Sequence, residues 1–260
     1  MTLRSLVVRL FVPKKLVVRR HAMAAWRAGE PELKMIPTLC EKSKISIDAG
    51  ANYGVYTFFM SQYSREVIAV EPNPRYANLL RNGTKGNVKV IEGAVSDRSG
   101  EAVMRIPVAG EELGMATIEP QNSLDNVDTT SLPVKLLTLD SLATTGVSFI
   151  KVDVEGHELA VLRGALGIIS RDLPAILVEA EERHRPNAVA STHDLLRPYG
   201  YRGFFLLGNR LASIDQFDVG KHQDVQRLAS GGNAAGSSRY VNNFLFLARD
   251  IDASLKRLVA

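Results

Sequence analysis

From position 45 onward, short apolar runs alternate with stretches whose apolar residues fall at helical spacing. Ile45 to Ile47, Val67 to Val70, Val88 to Ile91, Phe149 to Val152 and Ala175 to Val178 each read as a buried strand. Gly203 to Leu207 and Asn243 to Leu247 read as two more. Between them, helices are predicted over Val55–Tyr63, Arg75–Asn82, Leu159–Ile169 and Ser191–Arg197. Strands alternating with helices imply an α/β fold whose sheet is mainly parallel and covered on both faces. No internal repeat and no second domain interrupts the pattern.

Two regions depart from this rhythm. Residues 98–146 contain an alternating run from Ala102 to Ile106 and a second short strand at Leu136 and Leu137. Gly110 to Thr130, polar and weakly patterned, reads as a mobile loop near the site. The other region is the start. Leu3, Leu6, Val7, Leu10 and Phe11 fall at helical spacing, Pro13 stops that helix, and Val18, Ala22, Ala25 and Trp26 begin another. Three readings stay open for it: helices packed on the core or over a cofactor, a basic amphipathic surface touching an anionic membrane, or an organellar transit peptide.

Charge sharpens the contrast between arm and body. The chain has 260 residues and a net charge of +4. Residues 1–30 carry seven basic side chains against Glu30 alone, a net of +6, which leaves −2 for everything after them. A nearly neutral body argues against a nucleic-acid substrate, whose cleft would be basic. No run approaches the roughly 20 apolar residues of a membrane span, and basic residues break every apolar run of a would-be signal. The expectation is a cytoplasmic enzyme, with peripheral contact to the inner face of a membrane through residues 1–28. A single cysteine, Cys40, excludes a disulfide framework and a thiolate zinc cluster within the chain.

The candidate chemistry lies at strand ends. The turn Asp48-Ala-Gly50-Ala-Asn52-Tyr-Gly54 brings backbone amides and a helix N-terminus to a ligand. The dinucleotide fingerprint fails there, because its second and third glycines would fall at Asn52 and Val55. This disfavours a nicotinamide-dependent oxidoreductase. Glu71, at the end of the second strand, is placed to accept both hydroxyls of a ribose. Ser96 and Asp97 follow the third strand, where Asp97 is placed for an adenine amino group. Asp48, Glu71, Asp97, Asp153 and Glu179 each close a strand, and five acids on one rim repel unless ligand groups or a cation engage some of them.

Ile47-Asp-Ala-Gly-Ala-Asn-Tyr-Gly54, Val70-Glu-Pro-Asn-Pro74, Gly93-Ala-Val-Ser-Asp97, Leu137-Thr-Leu-Asp-Ser-Leu142 and Ile150-Lys-Val-Asp-Val-Glu-Gly-His-Glu158 together resemble the FkbM family of methyltransferases. The likeness covers roughly Ile45 to Glu182. It implies a class I Rossmann-like fold with a seven-stranded, mostly parallel sheet and an antiparallel last strand. Residues 1–40 are then a basic helical arm, 41–250 the domain that binds S-adenosylmethionine (SAM), and 251–260 a tail. It also implies O-methylation of a hydroxyl on a sugar, glycolipid or polysaccharide. A polyketide-like acceptor and a non-catalytic SAM-binding protein are the alternatives.

An alcohol needs a base or a metal to act as nucleophile. His157 is the candidate base, and Asp153 and Glu155 are candidate rim residues. Asp153 is placed to orient the SAM amino group, act as base, or bind a divalent cation with Glu179, for which oxygen-only ligands suit Mg2+. His184 and His193 are candidates for the acceptor pocket.

Overall fold

The computed structural model describes residues 13–28, 30–108, 116–119, 128–208, 210–224 and 240–259. The main sheet is built from β1 (Ile45–Ala49), β2 (Glu66–Glu71), β3 (Val88–Glu92), β7 (Val147–Val152), β8 (Ala175–Glu179), β9 (Arg202–Leu207), β10 (Arg210–Ser213) and β11 (Asn243–Leu247). Its order is β10-β9-β11-β8-β7-β1-β2-β3. The pairs β1–β2, β2–β3, β1–β7 and β7–β8 are parallel, while β11 runs antiparallel to both β8 and β9. The seven expected strands are therefore present with the last one reversed. An eighth, β10, extends the edge through a tight hairpin with β9, a pairing too short to register as its own apolar run.

The sheet is buried on both faces, as parallel strands require. Ile47, Val70, Ile150 and Val178 pack into one core with Val161, Leu162 and Ile168, and Val67, Phe149, Leu177 and Leu245 pack into another with Leu33, Ile36 and Met60. Helices α1 (Lys14–Ala28), α2 (Ile36–Leu39), α3 (Val55–Tyr63), α4 (Pro74–Gly83) and later α5 (Glu158–Arg163), α6 (Leu166–Asp172), α7 (Ala188–Leu196), α8 (Val219–His222) and α9 (Ile251–Val259) complete the chain. No helix among the described residues is long and apolar enough to cross a membrane.

Helix α1 packs on the body. Val18 and Ala22 are fully buried, and a Cβ at Gly83 would come within 2.6 Å of Val18 Cγ2. Of the three readings of the arm, packing is what residues 14–28 display. The expected helix over Leu3–Phe11 lies outside the described residues.

The run expected as one helix from Leu159 to Ile169 is broken into α5 and α6 at Gly164. A Cβ there would sit 2.0 Å from the Ser96 carbonyl oxygen, so the backbone of the β4 (Ala94–Val95) loop lies against the break. Asp140 then restarts the helix: its carboxylate accepts from Gly167 N and Ile168 N, both at 2.8 Å, and its own N–H donates to Gly164 O at 2.9 Å. The Leu137-Thr-Leu-Asp-Ser-Leu142 motif is thus a helix cap. The stretch 98–146 forms a second sheet, order β4-β6-β5, from β4, β5 (Gly100–Pro107) and β6 (Thr129–Leu137).

Because Asp140 satisfies two orphan N–H groups, Asp140→Ala is expected to cost about 1–2 kcal/mol, read as a lower urea midpoint at unchanged m. A loss below about 0.5 kcal/mol would mean that solvent caps α6 equally well.

Candidate active site

The chain leaves β1 toward β2 on one side and β7 lies on the other, so the carboxyl ends of β1 and β7 form the topological switch point where open α/β sheets bind ligands. Gly50 sits there with φ +86°, and a Cβ on it would be 1.8 Å from the Asp153 carbonyl oxygen. Only glycine lets the two loops meet. Gly50 N and Ala51 N donate to Val70 O at 3.0 and 3.1 Å, which ties the turn to β2 as well.

A cavity of about 250 Å³ opens at this junction. Its polar wall includes Gly50, Asn52, Glu71, Asp153 and Glu179. Its apolar wall includes Pro72, Val95, Met104 and Ile118. The two Glu71 oxygens accept from Asn52 N and Asn73 N, both at 2.8 Å. Burial pushes this carboxyl up to about 7 against those two N–H groups. Each oxygen keeps a further lone pair, which suits a vicinal diol. Asn52 has φ +47°, and its buried Oδ1 has no hydrogen-bond partner among the described residues. A buried acceptor left empty is where a ligand donor fits. An apolar slot beside a bidentate carboxylate, reached by bare backbone, fits an adenosine with an amino-acid tail.

The expected site residues divide into two groups. Gly50, Asn52, Glu71, Asp153, Glu155 and His157 line the cavity. Asp48, Gly54, Ser96 and Asp97 stand behind it. Asp48 is 1% exposed, accepts from the Thr57 hydroxyl, and is pushed by burial to about 6. Gly54 (φ +81°) starts α3 against Leu80. Pairing of β4 with β6 turns the chain so that Ser96 Oγ meets His157 Nε2 at 2.9 Å while Asp97 faces Arg98 at 3.3 Å. Ala94 and Val95 line the cavity in their place.

One charged residue central to the site carries no role in the sequence reading. Lys151 is fully buried at the end of β7, with Nζ 3.6 Å from Asp153 Oδ2, 3.8 Å from Glu179 Oε2 and 3.2 Å from Asn243 Oδ1. Burial works to lower its pKa, but Asp153, Glu179, Glu30 and Asp48 outweigh it and the net shift is upward. An ammonium in an otherwise apolar strand was the available signal. Its position also corrects the idea of Mg2+ between Asp153 and Glu179. Both carboxylates already face Lys151, and no group of three or more His, Cys, Asp or Glu side chains among the described residues is arranged to hold a metal ion.

Glu155 (φ +52°) is pushed up to about 8 by burial and by the neighbouring Asp153, Glu181 and Glu158. His184 Nε2 lies 3.3 Å from Glu155 Oε2 and 3.6 Å from Glu181 Oε1, just outside the cavity wall. Burial pushes Glu181 upward too, but His184, Arg183 and Tyr240 around it prevail and hold it down to about 2. His193 sits against the Phe246 ring at 6.3 Å, on the core side. The loop expected over 110–130 is fixed where it is described. Thr117 exchanges two backbone hydrogen bonds with Arg105, at 2.9 and 3.1 Å, and Ala116 and Ile118 line the cavity.

This sheet order, with its pocket at the β1–β7 junction, defines a methyltransferase domain of the SAM-binding class. A model of the methyltransferase FkbM domain matches residues 48–202, more than half of the chain, and the protein belongs to the FkbM methyltransferase family. Hexuronic acid methyltransferase AglP of Haloferax volcanii is 29% identical over 146 residues, covering 53% of this chain and 56% of that protein. The match thus spans little more than half of that relative's length. Among solved structures, a methyltransferase FkbM from Methylobacillus flagellatus superposes with a TM-score of 0.49 at 16% identity, over 79% of this chain and 44% of that one. Precorrin-6y C5,15-methyltransferase from Geobacter metallireducens gives 0.44 at 12% identity, over 82% and 84%.

The buried rim makes stability pH-dependent. Burial is the largest cause of the upward shifts to about 6 at Asp48, about 7 at Glu71 and Glu158, and about 8 at Glu155. In the unfolded chain these groups titrate near about 4. Between about pH 4.5 and 8 the folded protein holds more protons than the unfolded chain, so stability falls as pH rises through that window. Scanning calorimetry of ligand-free protein is expected to show Tm dropping from about pH 5 to about pH 8. A flat or rising Tm would mean that these carboxyls are ionised in the fold.

Proposed function

We propose that the protein transfers the methyl group of SAM to a hydroxyl of a sugar, glycolipid or polysaccharide. The observation that carries the reading is the pairing of the Glu71 carboxylate with the Gly50 approach across one cavity rimmed by Asp153, Glu155 and Glu179. The printed activity of the Haloferax relative, on a hexuronic acid, points to the same acceptor class.

SAM supplies an electrophilic methyl on a sulfonium when bound. Glu71 would accept the ribose hydroxyls, Pro72, Val95 and Ile118 would cover the adenine, and Asp153 would face the amino group with its charge balanced by Lys151. Enclosing both partners in one cavity supplies orientation, a large part of the acceleration for an in-line displacement. His157 faces the same cavity and would take the acceptor proton. Rim oxygens on Asp153 and Glu179 suit the remaining hydroxyls of a polyol, and Glu155, neutral at about pH 7, can donate to one of them.

The arm supports a lipid-linked acceptor. On α1, Lys15, Arg19, Arg20 and Arg27 face solvent with no hydrogen bond or ion pair among the described residues, and Leu16 is 52% exposed beside them. Such a surface suits an anionic membrane.

Calorimetric titration with S-adenosylhomocysteine is expected to give saturable binding to wild type, weakened at least about tenfold in Glu71→Ala by loss of a charged hydrogen-bonding partner. No binding by folded wild type would overturn the proposal. For the arm, sedimentation with phosphatidylglycerol vesicles is expected for wild type and not for an R19E/R20E/R27E variant that still binds S-adenosylhomocysteine. Equal sedimentation of both would sink the membrane contact.

A further inference from the structure

The cavity is one-sided in charge. The carboxyls of Glu71, Asp153, Glu155 and Glu179 line it, and no lysine or arginine side chain does. The basic groups around it are covered or already engaged. Lys151 Nζ stands 3.6 Å from Asp153 Oδ2 and 3.8 Å from Glu179 Oε2, but only 1% of its side chain is exposed, against 33% and 24% of theirs. Arg183 donates to both oxygens of Glu181, at 2.6 and 3.0 Å. His184 Nε2 lies against Glu155 and Glu181, and His157 Nδ1 against the Glu119 carboxylate. A group entering the cavity therefore meets carboxyl oxygens and no ammonium or guanidinium hydrogens.

SAM answers part of this field: its ribose hydroxyls take Glu71, and its ammonium faces Asp153. Glu155 and Glu179 remain open to the cavity, with 21% and 24% of their side chains exposed. We propose that these two carboxyls select an acceptor ring without negative charge, so that a neutral or amino sugar binds and a uronic acid or a phosphorylated ring is rejected. This rests on the proposed function and narrows its acceptor. Recognition of a carboxylate or phosphate calls for a guanidinium fork, an ammonium or a free N–H. The lining supplies neither cation, and Gly156 N, beside Glu155, is given to Glu158 Oε1 at 2.7 Å. An acid on the ring would lose its water beside other acids with no cation to meet. A hydroxyl donates to Glu179 or accepts from protonated Glu155, and an ammonium pairs with either. Burial raises both carboxyls, and the neighbouring acids add to the shift at each, so the potential on this side of the cavity is already negative. The discrimination is by repulsion as much as by attraction.

The test compares methyl glucoside, methyl glucosaminide and methyl glucuronide, which share a pyranose and differ in charge. Each is titrated by saturation-transfer NMR against protein saturated with sinefungin, a SAM analogue whose amine keeps the positive charge of the sulfonium. The glucoside or the glucosaminide is expected to bind at least about tenfold more tightly than the glucuronide, and Glu155→Gln/Glu179→Gln to narrow that gap to within about threefold. If the double variant loses sinefungin binding, Glu155→Gln alone is read in its place and is expected to narrow the gap by at least about threefold. Glucuronide binding as tight as the other two, or a gap that persists unchanged in the variant, would overturn the inference. So would the absence of binding by all three sugars up to about 100 mM. Any of these results in wild-type protein that binds sinefungin refutes this inference alone, whereas failure to bind sinefungin refutes the proposed function.

Discussion

The contact on which the site depends is the one between Gly50 and the carbonyl of Asp153. A single methyl group at position 50 would collide with that oxygen at 1.8 Å, and the colliding atom is backbone, so no rotamer change relieves it. Strands β1 and β7 are locked in register, Asp48 beside Lys151 and Ala49 beside Val152. The loops beyond them can close on each other only at a residue without a Cβ. Everything after Asp153 inherits that closeness. Glu155 and Gly156 follow in left-handed conformations, and His157 is set down at the start of α5 facing the cavity. The two sides of the cavity are therefore one object, joined at Gly50.

Drawing acids together in a buried rim has an electrostatic cost, and the chain offsets it in three ways. Lys151 places one full positive charge beneath the rim, near Asp153 and Glu179. Backbone N–H groups solvate Glu71 and Glu158. Burial and the neighbouring acids raise the carboxyls of Glu155 and Glu179 above the usual range, which eases their mutual repulsion. A lone lysine in such a place would be strongly destabilising, and a lone carboxylate equally so. Together they are tolerable, which is a reason for the rim to exist as a set. The same arithmetic explains why a cation is poorly suited to this position: its place is filled by an ammonium on a strand.

What the sequence reveals about this site depends on how far the information travels along the chain. Gly50 and Glu71 were legible because a strand, a turn and a second strand fix both at the same rim, whatever lies elsewhere. The strand ends at Asp153 and Glu179 follow from the same logic. Ser96 and Asp97 were placed on the cavity wall by that logic too, but β4 pairs with β6 of the small sheet, and this swings their side chains behind the wall. Glu119 lay beyond reach: it stands 38 residues from His157, in a stretch without periodicity, and only the bridge between Thr117 and Arg105 brings it there. The break in the expected helix at Gly164 has a similar origin, since its cause is the distant backbone of Ser96.

The basic arm changes meaning once its contacts are counted as part of the site. His21 of α1 stacks on Tyr53 at 4.0 Å, Tyr53 lies against Tyr76 at 4.6 Å, and Tyr76 lines the cavity. From the segment just after α1, Glu30 accepts from the Tyr56 hydroxyl at 2.8 Å, and the Tyr56 ring lies 5.1 Å below Lys151 Nζ. Two chains of contact thus run from the arm toward the pocket, one ending at Tyr76 on its wall and the other at the Lys151 ammonium near Asp153 and Glu179. The arm is a wall of the frame, packed tightly where Val18 meets Gly54 and Gly83.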